Sequence, residues 1–187
     1  MIQTVKEQRD IETNELTGYL VNGSMYVPVE PSNTHYKEVQ DWISQGNTPE
    51  PAYTDQDRID YFINKRTNEL KQIRQSKVDS IIVTLSTGEV LNGDEVAQTR
   101  INRAITGLPD DTTTIDWVDA NNMLVKLTKP KLLEALQLSG KEQTIIWVNY
   151  NTIKAIIVGA TLDNLMNGVI DWTNSTFEVP VNSTIVV

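Results

Sequence analysis

The chain of 187 residues contains one histidine and no cysteine, which excludes most side-chain chemistry at once. Without a thiol there is no thiolate nucleophile, no disulfide and no cysteine-ligated metal. A zinc site or a Ser-His-Asp relay would have to use His35 alone, beside Thr34 at the start of a helical pattern. There it reads as a solvated or capping histidine. Carboxylates occur as Asp55/Asp57, Asp94-Glu95 and Asp110-Asp111. Such pairs could cleave a glycosidic bond or cradle calcium. Position gives each of them a plainer role. Asp55 and Asp57 fill a first helical turn, Asp94 caps a helix, and Asp110-Asp111 make a loop. No calcium-loop spacing, repeated β-helix rung, GxGxxG or P-loop is present. Trp42, Trp117, Trp147 and Trp172 could stack on a sugar, yet all but Trp172 sit among apolar neighbours, as core residues do. The expectation is therefore a non-enzymatic chain with no catalytic, cofactor-binding or metal-ligating residue and no cofactor.

Charge narrows the partners. Sixteen basic residues stand against 25 acidic ones, a formal net charge of −9. A nucleic-acid binder needs a basic stripe. The densest basic stretch (Lys65-Arg66, Lys71, Arg74, Lys77) is interleaved with Asp60, Glu69 and Asp79, which reads as a solvated helix face. The opening MIQTVKEQRDIETNE is charged throughout and lacks the apolar centre of a signal peptide. No run approaches the roughly 20 apolar residues of a membrane span. A soluble, non-secreted product without membrane insertion or nucleic-acid binding is expected, made in the cytoplasm.

The elements follow from punctuation and period. Tyr19-Leu20-Val21 and Met25-Tyr26-Val27 flank Asn22-Gly23-Ser24, a hairpin signal. Tyr36, Val39, Trp42 and Ile43 repeat at helical spacing, Gly46 suits a helix stop, and Asn47-Thr48-Pro49-Glu50-Pro51 cannot continue the helix. A longer helix is predicted over 54–79, capped by Thr54, with a narrow seam of Ile59, Phe62, Ile63, Leu70 and Ile73. That seam fits either packing on its own domain or a coiled-coil-like neck between identical chains. Residues 80–92 read as a hairpin turning at Ser86-Thr87-Gly88. Asp94 then caps a helix whose face is Ala97, Ile101, Ala104, Ile105 and Leu108. Strands are predicted around Ile115–Val118 and Met123–Leu127, and Pro130 suits the first turn of another helix. Over 144–158 the β-branched composition favours a strand. The spacing of Leu133, Leu136, Ile145, Val148, Thr152 and Ile156 instead fits one long helix face. Thr161 opens a short helix, and 177–187 reads as extended.

The string from Asn33 to Thr54, NTHYKEVQDWISQGNTPEPAYT, closely resembles a cassette of tailed-bacteriophage tail-fibre and tail-fibre-assembly proteins, in which an aromatic residue, a tryptophan and the Gly-Asn-Thr-Pro-Glu-Pro run occur in this order. From Ser76 to Pro180 a second set of landmarks is similar to an uncharacterised domain of phage tail proteins. These are Gly93-Asp94, Thr99-Arg100-Ile101-Asn102, Trp117, Asn121-Asn122 before Leu127-Thr128, Lys154-Ala155-Ile156, and Ala-Thr-Leu-Asp ahead of Ile170-Asp171-Trp172. That resemblance implies a helix over 144–158, although relatives are alanine-rich where this chain has isoleucine and threonine. The fold class expected is α+β: an N-terminal hairpin-helix docking module (1–53), a connecting helix that could serve as an oligomerisation neck (54–79), and a mixed helix-hairpin domain (80–187). The resemblance implies a structural component of a phage tail, a tail-fibre or baseplate-associated protein located in the virion. Its partners would be other tail, fibre or baseplate proteins and copies of itself, with a trimer favoured and any host receptor reached indirectly. The alternative is a tail-fibre assembly chaperone. Neither resemblance supplies a catalytic residue.

Overall fold

The computed structural model describes residues 1–180. In chain order the elements are β1 (Val5–Arg9), β2 (Leu16–Val21), β3 (Met25–Pro28), α1 (Thr34–Ser44), α2 (Asp55–Asp79), β4 (Ile82–Thr84), β5 (Val90–Asn92) and α3 (Glu95–Gly107). They continue with β6 (Thr114–Val118), β7 (Leu124–Thr128), α4 (Lys129–Val158), α5 (Leu162–Asn167), β8 (Val169–Asp171) and β9 (Thr176–Glu178). Helices and small antiparallel sheets make an α+β fold, as the sequence predicts. Of the predicted extended 177–187, β9 takes up the first two residues, and 181–187 lie outside the described residues.

The chain divides into two units, and the division falls inside α2. One comprises Met1–Lys65 with Ala160–Asn167, the other Arg66–Gly159 with the C-terminal segment. In the first, β1, β2 and β3 form one antiparallel sheet. The β2–β3 hairpin pairs Val21 with Met25 and Tyr19 with Val27. Asn22 and Gly23 both take positive φ and Ser24 N–H donates to the Val21 carbonyl (3.1 Å), the turn geometry that matches strand twist. Val5, Tyr19, Val21 and Val27 from the sheet meet the fully buried Val39 of α1, and Tyr36, Trp42 and Ile43 pack around them. This is the apolar face the helical spacing predicts. Gly46 ends the helix with φ +91°. The proline strut then returns to the sheet edge. Glu50 N–H donates to the Val5 carbonyl and Glu7 N–H to the Glu50 carbonyl, both at 2.8 Å. The result is a single parallel bridge between β1 and the strut. Flanked by Pro49 and Pro51, which have no N–H, the bridge cannot lengthen into a strand.

In the second unit α4 is the spine. It packs on α3, β4, β7 and β9. The hairpins β4–β5, β6–β7 and β8–β9 are separate two-stranded sheets. Alone each would be marginal in water, so their stability comes from what they pack on. Leu91, Ile101, Leu127, Leu132 and Ala135 are fully buried at the centre. The predicted face of α3 holds: Ala97, Ile101 and Leu108 are buried, and Ala104 and Ile105 pack against the same core.

Two expectations change. The helix over 144–158 is present, as the second half of a 30-residue α4, but its buried face is Leu132, Ala135, Ser139, Ile146, Tyr150, Ile153 and Ile157. Of the predicted face, Leu133, Ile145, Val148, Thr152 and Ile156 are exposed. Hydropathy could not choose between the faces, because this helix is apolar nearly all round. Of the two readings of the α2 seam, burial fits packing on its own domain: Leu70 is fully buried and Phe62 nearly so. The tryptophan assignment changes for two of the four. Trp147 is 43% exposed and Trp172 packs against the core, whereas Trp42 and Trp117 pack on their cores as expected.

Candidate functional site

Of the charged groups that could have done chemistry, His35, Asp57, Asp94 and Asp110 have local structural partners. Asn33 caps α1, its side-chain oxygen accepting from the N–H groups of His35 (2.9 Å) and Tyr36 (3.2 Å). The His35 ring lies on the surface with Nδ1 3.0 Å from Glu38 Oε2, one turn on, both side chains more than half exposed. At the head of α2, Thr54 and Asp57 cap each other. Thr54 N–H and Oγ1 both donate to Asp57 Oδ2 at 2.7 Å, and Asp57 N–H donates to Thr54 Oγ1 at 3.1 Å. The donated Thr54 N–H holds the Asp57 carboxyl below its ordinary range. Asp94 caps α3 through the N–H groups of Val96 and Ala97.

Asp110 organises its loop by accepting from the hydroxyl and N–H of Thr112 and of Thr113. The Thr112 hydroxyl contributes most to holding its carboxyl at about 2. A carboxylate held that low by hydrogen bonds is a poor general acid at neutral pH. Glu89 also sits at about 2, chiefly because it accepts from the Lys131 ammonium and then from the Thr87 hydroxyl. Among the described residues no group of three or more His, Asp or Glu side chains is arranged to hold a metal ion.

Two structural side chains escaped the sequence reading. Asp119 is buried, and its Oδ1 accepts from the N–H groups of Asn121 and Met123, both at 2.8 Å, which closes the β6–β7 turn. An Asp two residues ahead of Asn-Asn is a usable signal for such a turn. Arg58 is 8% exposed and donates to the carbonyls of Ile11 (3.2 Å) and Glu12 (3.1 Å), tying the β1–β2 loop to α2. Nothing local announces a partner 46 or 47 residues away.

What remains available is surface. In the first unit, Trp42, Glu38, Asp41 and Asn47 line a shallow groove with Met1 and Ile2. The Asn47 amide donates to the Trp42 carbonyl at 2.8 Å and so fixes the groove's wall. In the second unit, the side of α4 turned from the core carries Leu133, Ile145, Trp147, Val148, Ile156 and Val158, each 38–57% exposed. No charge interrupts the eleven residues 143–153. One edge of that surface is braced: the Arg74 guanidinium lies 4.4 Å from the Trp147 ring centroid and 4.9 Å from that of Tyr150. The two rings meet edge to face, 5.6 Å apart.

The fold thus defines an α+β protein whose open features are an aromatic-edged groove and an uncovered helix face. Residues 63–174, more than half of the chain, match the family described as a domain of unknown function (DUF4376), and the chain belongs to that family. The match begins inside α2, close to the division between the two units, and takes in most of the second. Neither a curated protein nor a solved structure matches the chain.

Proposed function

We propose that this protein is a non-enzymatic structural component of a bacteriophage tail, a fibre or baseplate-associated subunit that acts by docking and self-association. The observation that carries the reading is the cassette of residues 33–54. Its tryptophan, glycine stop and proline strut resemble those of phage tail-fibre proteins, and they are the parts that seat α1 on the sheet and return the chain to β1. His35, Asp57, Asp94 and Asp110 are engaged in caps, turns and an ion pair, which supports a role in association over one in chemistry. Other tail proteins would dock on the hairpin-helix module, whose groove at Trp42 offers an aromatic edge beside Glu38 and Asp41.

A subunit of this kind stays with the particle. Mass spectrometry of purified virions should detect the chain at a fixed ratio to other tail proteins, and its absence from intact particles would remove the reading. The alternative, an assembly chaperone, is favoured by the acidic net charge and by the apolar helix face that a transient partner could cover. Co-expression separates the two. A chaperone raises the yield of soluble fibre trimer and is missing from the virion, whereas a subunit leaves that yield unchanged.

A further inference from the structure

We infer that the outer face of α4 is where copies of this chain meet, side by side and in register. This deepens the self-association proposed above and rests on that reading, but it places the contact on α4 and not on the possible neck in α2.

A helix that is apolar all round is one whose whole circumference is covered. The second half of α4 is apolar on most of its sides, yet among the described residues the chain covers only the side carrying Ile146, Tyr150, Ile153 and Ile157. The five exposed apolar side chains from Ile145 to Val158 together present on the order of 450 Å², within what a monomer leaves as one patch and more than half of the ~800 Å² per partner of a standard interface.

Three features of the face identify the occupant as a second copy. Next to a symmetry axis each residue meets its own counterpart, so charge there would face like charge. This face carries none over 143–153, with Lys141 beside Gly140 at its N-terminal end, in a chain of net charge −9. Its midline runs through Gln137, Gly140, Thr144, Val148, Asn151, Ala155 and Val158. Gly140, Thr144 and Ala155 are small enough to let backbones approach, and Cβ space at Gly140 is open. Asn151 lies on that midline. An amide placed among apolar residues is satisfied when it meets the same amide of a copy, which sets parallel, in-register pairing.

Light scattering on the purified full chain at about 100 µM tests this, with Val148→Glu and Ala155→Glu as variants. We expect the parent to scatter as two or three chains. Each variant should fall two- to three-fold in mass to a single chain with unchanged helical circular dichroism. A monomeric parent overturns the inference, as does parental mass in both variants. Loss of helical signal in both would show the face to be internal to the chain and also overturns it. Virion content is read separately. A monomeric chain found in particles would spare the functional reading and end this inference, and dissociating variants of a chain absent from particles would do the reverse.

Discussion

The guanidinium of Arg74, on α2, lies over the indole of Trp147, on α4, with 4.4 Å between its central carbon and the ring centroid. The same cation contacts Tyr150, one turn further along α4. A half-exposed tryptophan at the margin of an apolar face would otherwise be free to change rotamer. Here it is held against the neighbouring helix and borders the face at a fixed position. Arg74→Ala should lower unfolding stability by about 0.5–1 kcal/mol, the usual worth of an exposed cation–π contact. Arg74→Lys should recover part of it. Urea titration followed by tryptophan fluorescence measures both.

Leu70 distinguishes an internal helix from an intermolecular neck. It is fully buried within its own chain. Leu70→Ala should therefore cost about 2–5 kcal/mol in a denaturant titration, the range for a large-to-small core change. Leu70→Asp should unfold the second unit outright. A folded, merely dissociated Leu70→Asp protein would restore the neck.

Gly93 and Ser139 form a tight contact in the second core. A Cβ on Gly93 would stand 2.5 Å from Ser139 Oγ and 2.6 Å from Ile81 Cγ2. Gly93→Ala should destabilise by about 1–3 kcal/mol through overpacking. Ser139 is fully buried and its Oγ has no hydrogen-bond partner among the described residues. Ser139→Ala should accordingly raise stability by about 1 kcal/mol, since an unsatisfied buried hydroxyl is removed. The double variant should recover part of the Gly93→Ala loss and not all of it, because Ile81 stays in place.

Acid should unmask the ion pair of Glu89 and Lys131. The Glu89 carboxyl lies at about 2 in the folded chain, below its ordinary 4.5, because it accepts from the Lys131 ammonium. A carboxyl lowered by folding contributes stability in full above its unfolded value, and that stability is lost as pH falls through the folded one. Melting temperature should therefore decline between about pH 4.5 and 2 on this account. Asp110, also at about 2 and below its ordinary 3.8, contributes a decline over the lower part of that window. Lys131→Met should flatten the Glu89 part of the decline and leave the Asp110 part, which Asp110→Asn removes.

Local signals made much of this fold legible. The Asn-Gly turn, the Gly46 stop, the Thr54 and Asp94 caps and the periodic face of α3 are all settled within a few residues, and each stands where the sequence predicts it. Contacts across long separations were not legible. The parallel bridge from Glu50 to β1 and the anchoring of Arg58 on the Ile11 and Glu12 carbonyls depend on chain returns that no window contains. The candidate surface failed for another reason. In α4 both the inward and the outward face are apolar, so periodicity identifies a helix and cannot orient it. Orientation is decided by shape: Ala135 and Ser139 are small, and the backbone at Gly93 lies directly against Ser139. The charged candidates were read correctly as caps and loops because such roles are set by neighbours one turn away.

The absence of cysteine offers the most direct measurement. Val148→Cys introduces the only thiol, in the middle of the outer face of α4, and Asn102→Cys places one on an exposed position of α3. If copies meet in register along α4, mild oxidation should convert most of the Val148→Cys protein into a disulfide-linked pair on a non-reducing gel and leave Asn102→Cys as single chains. Equal, slow linkage of both variants, or none of Val148→Cys, would contradict association through this face.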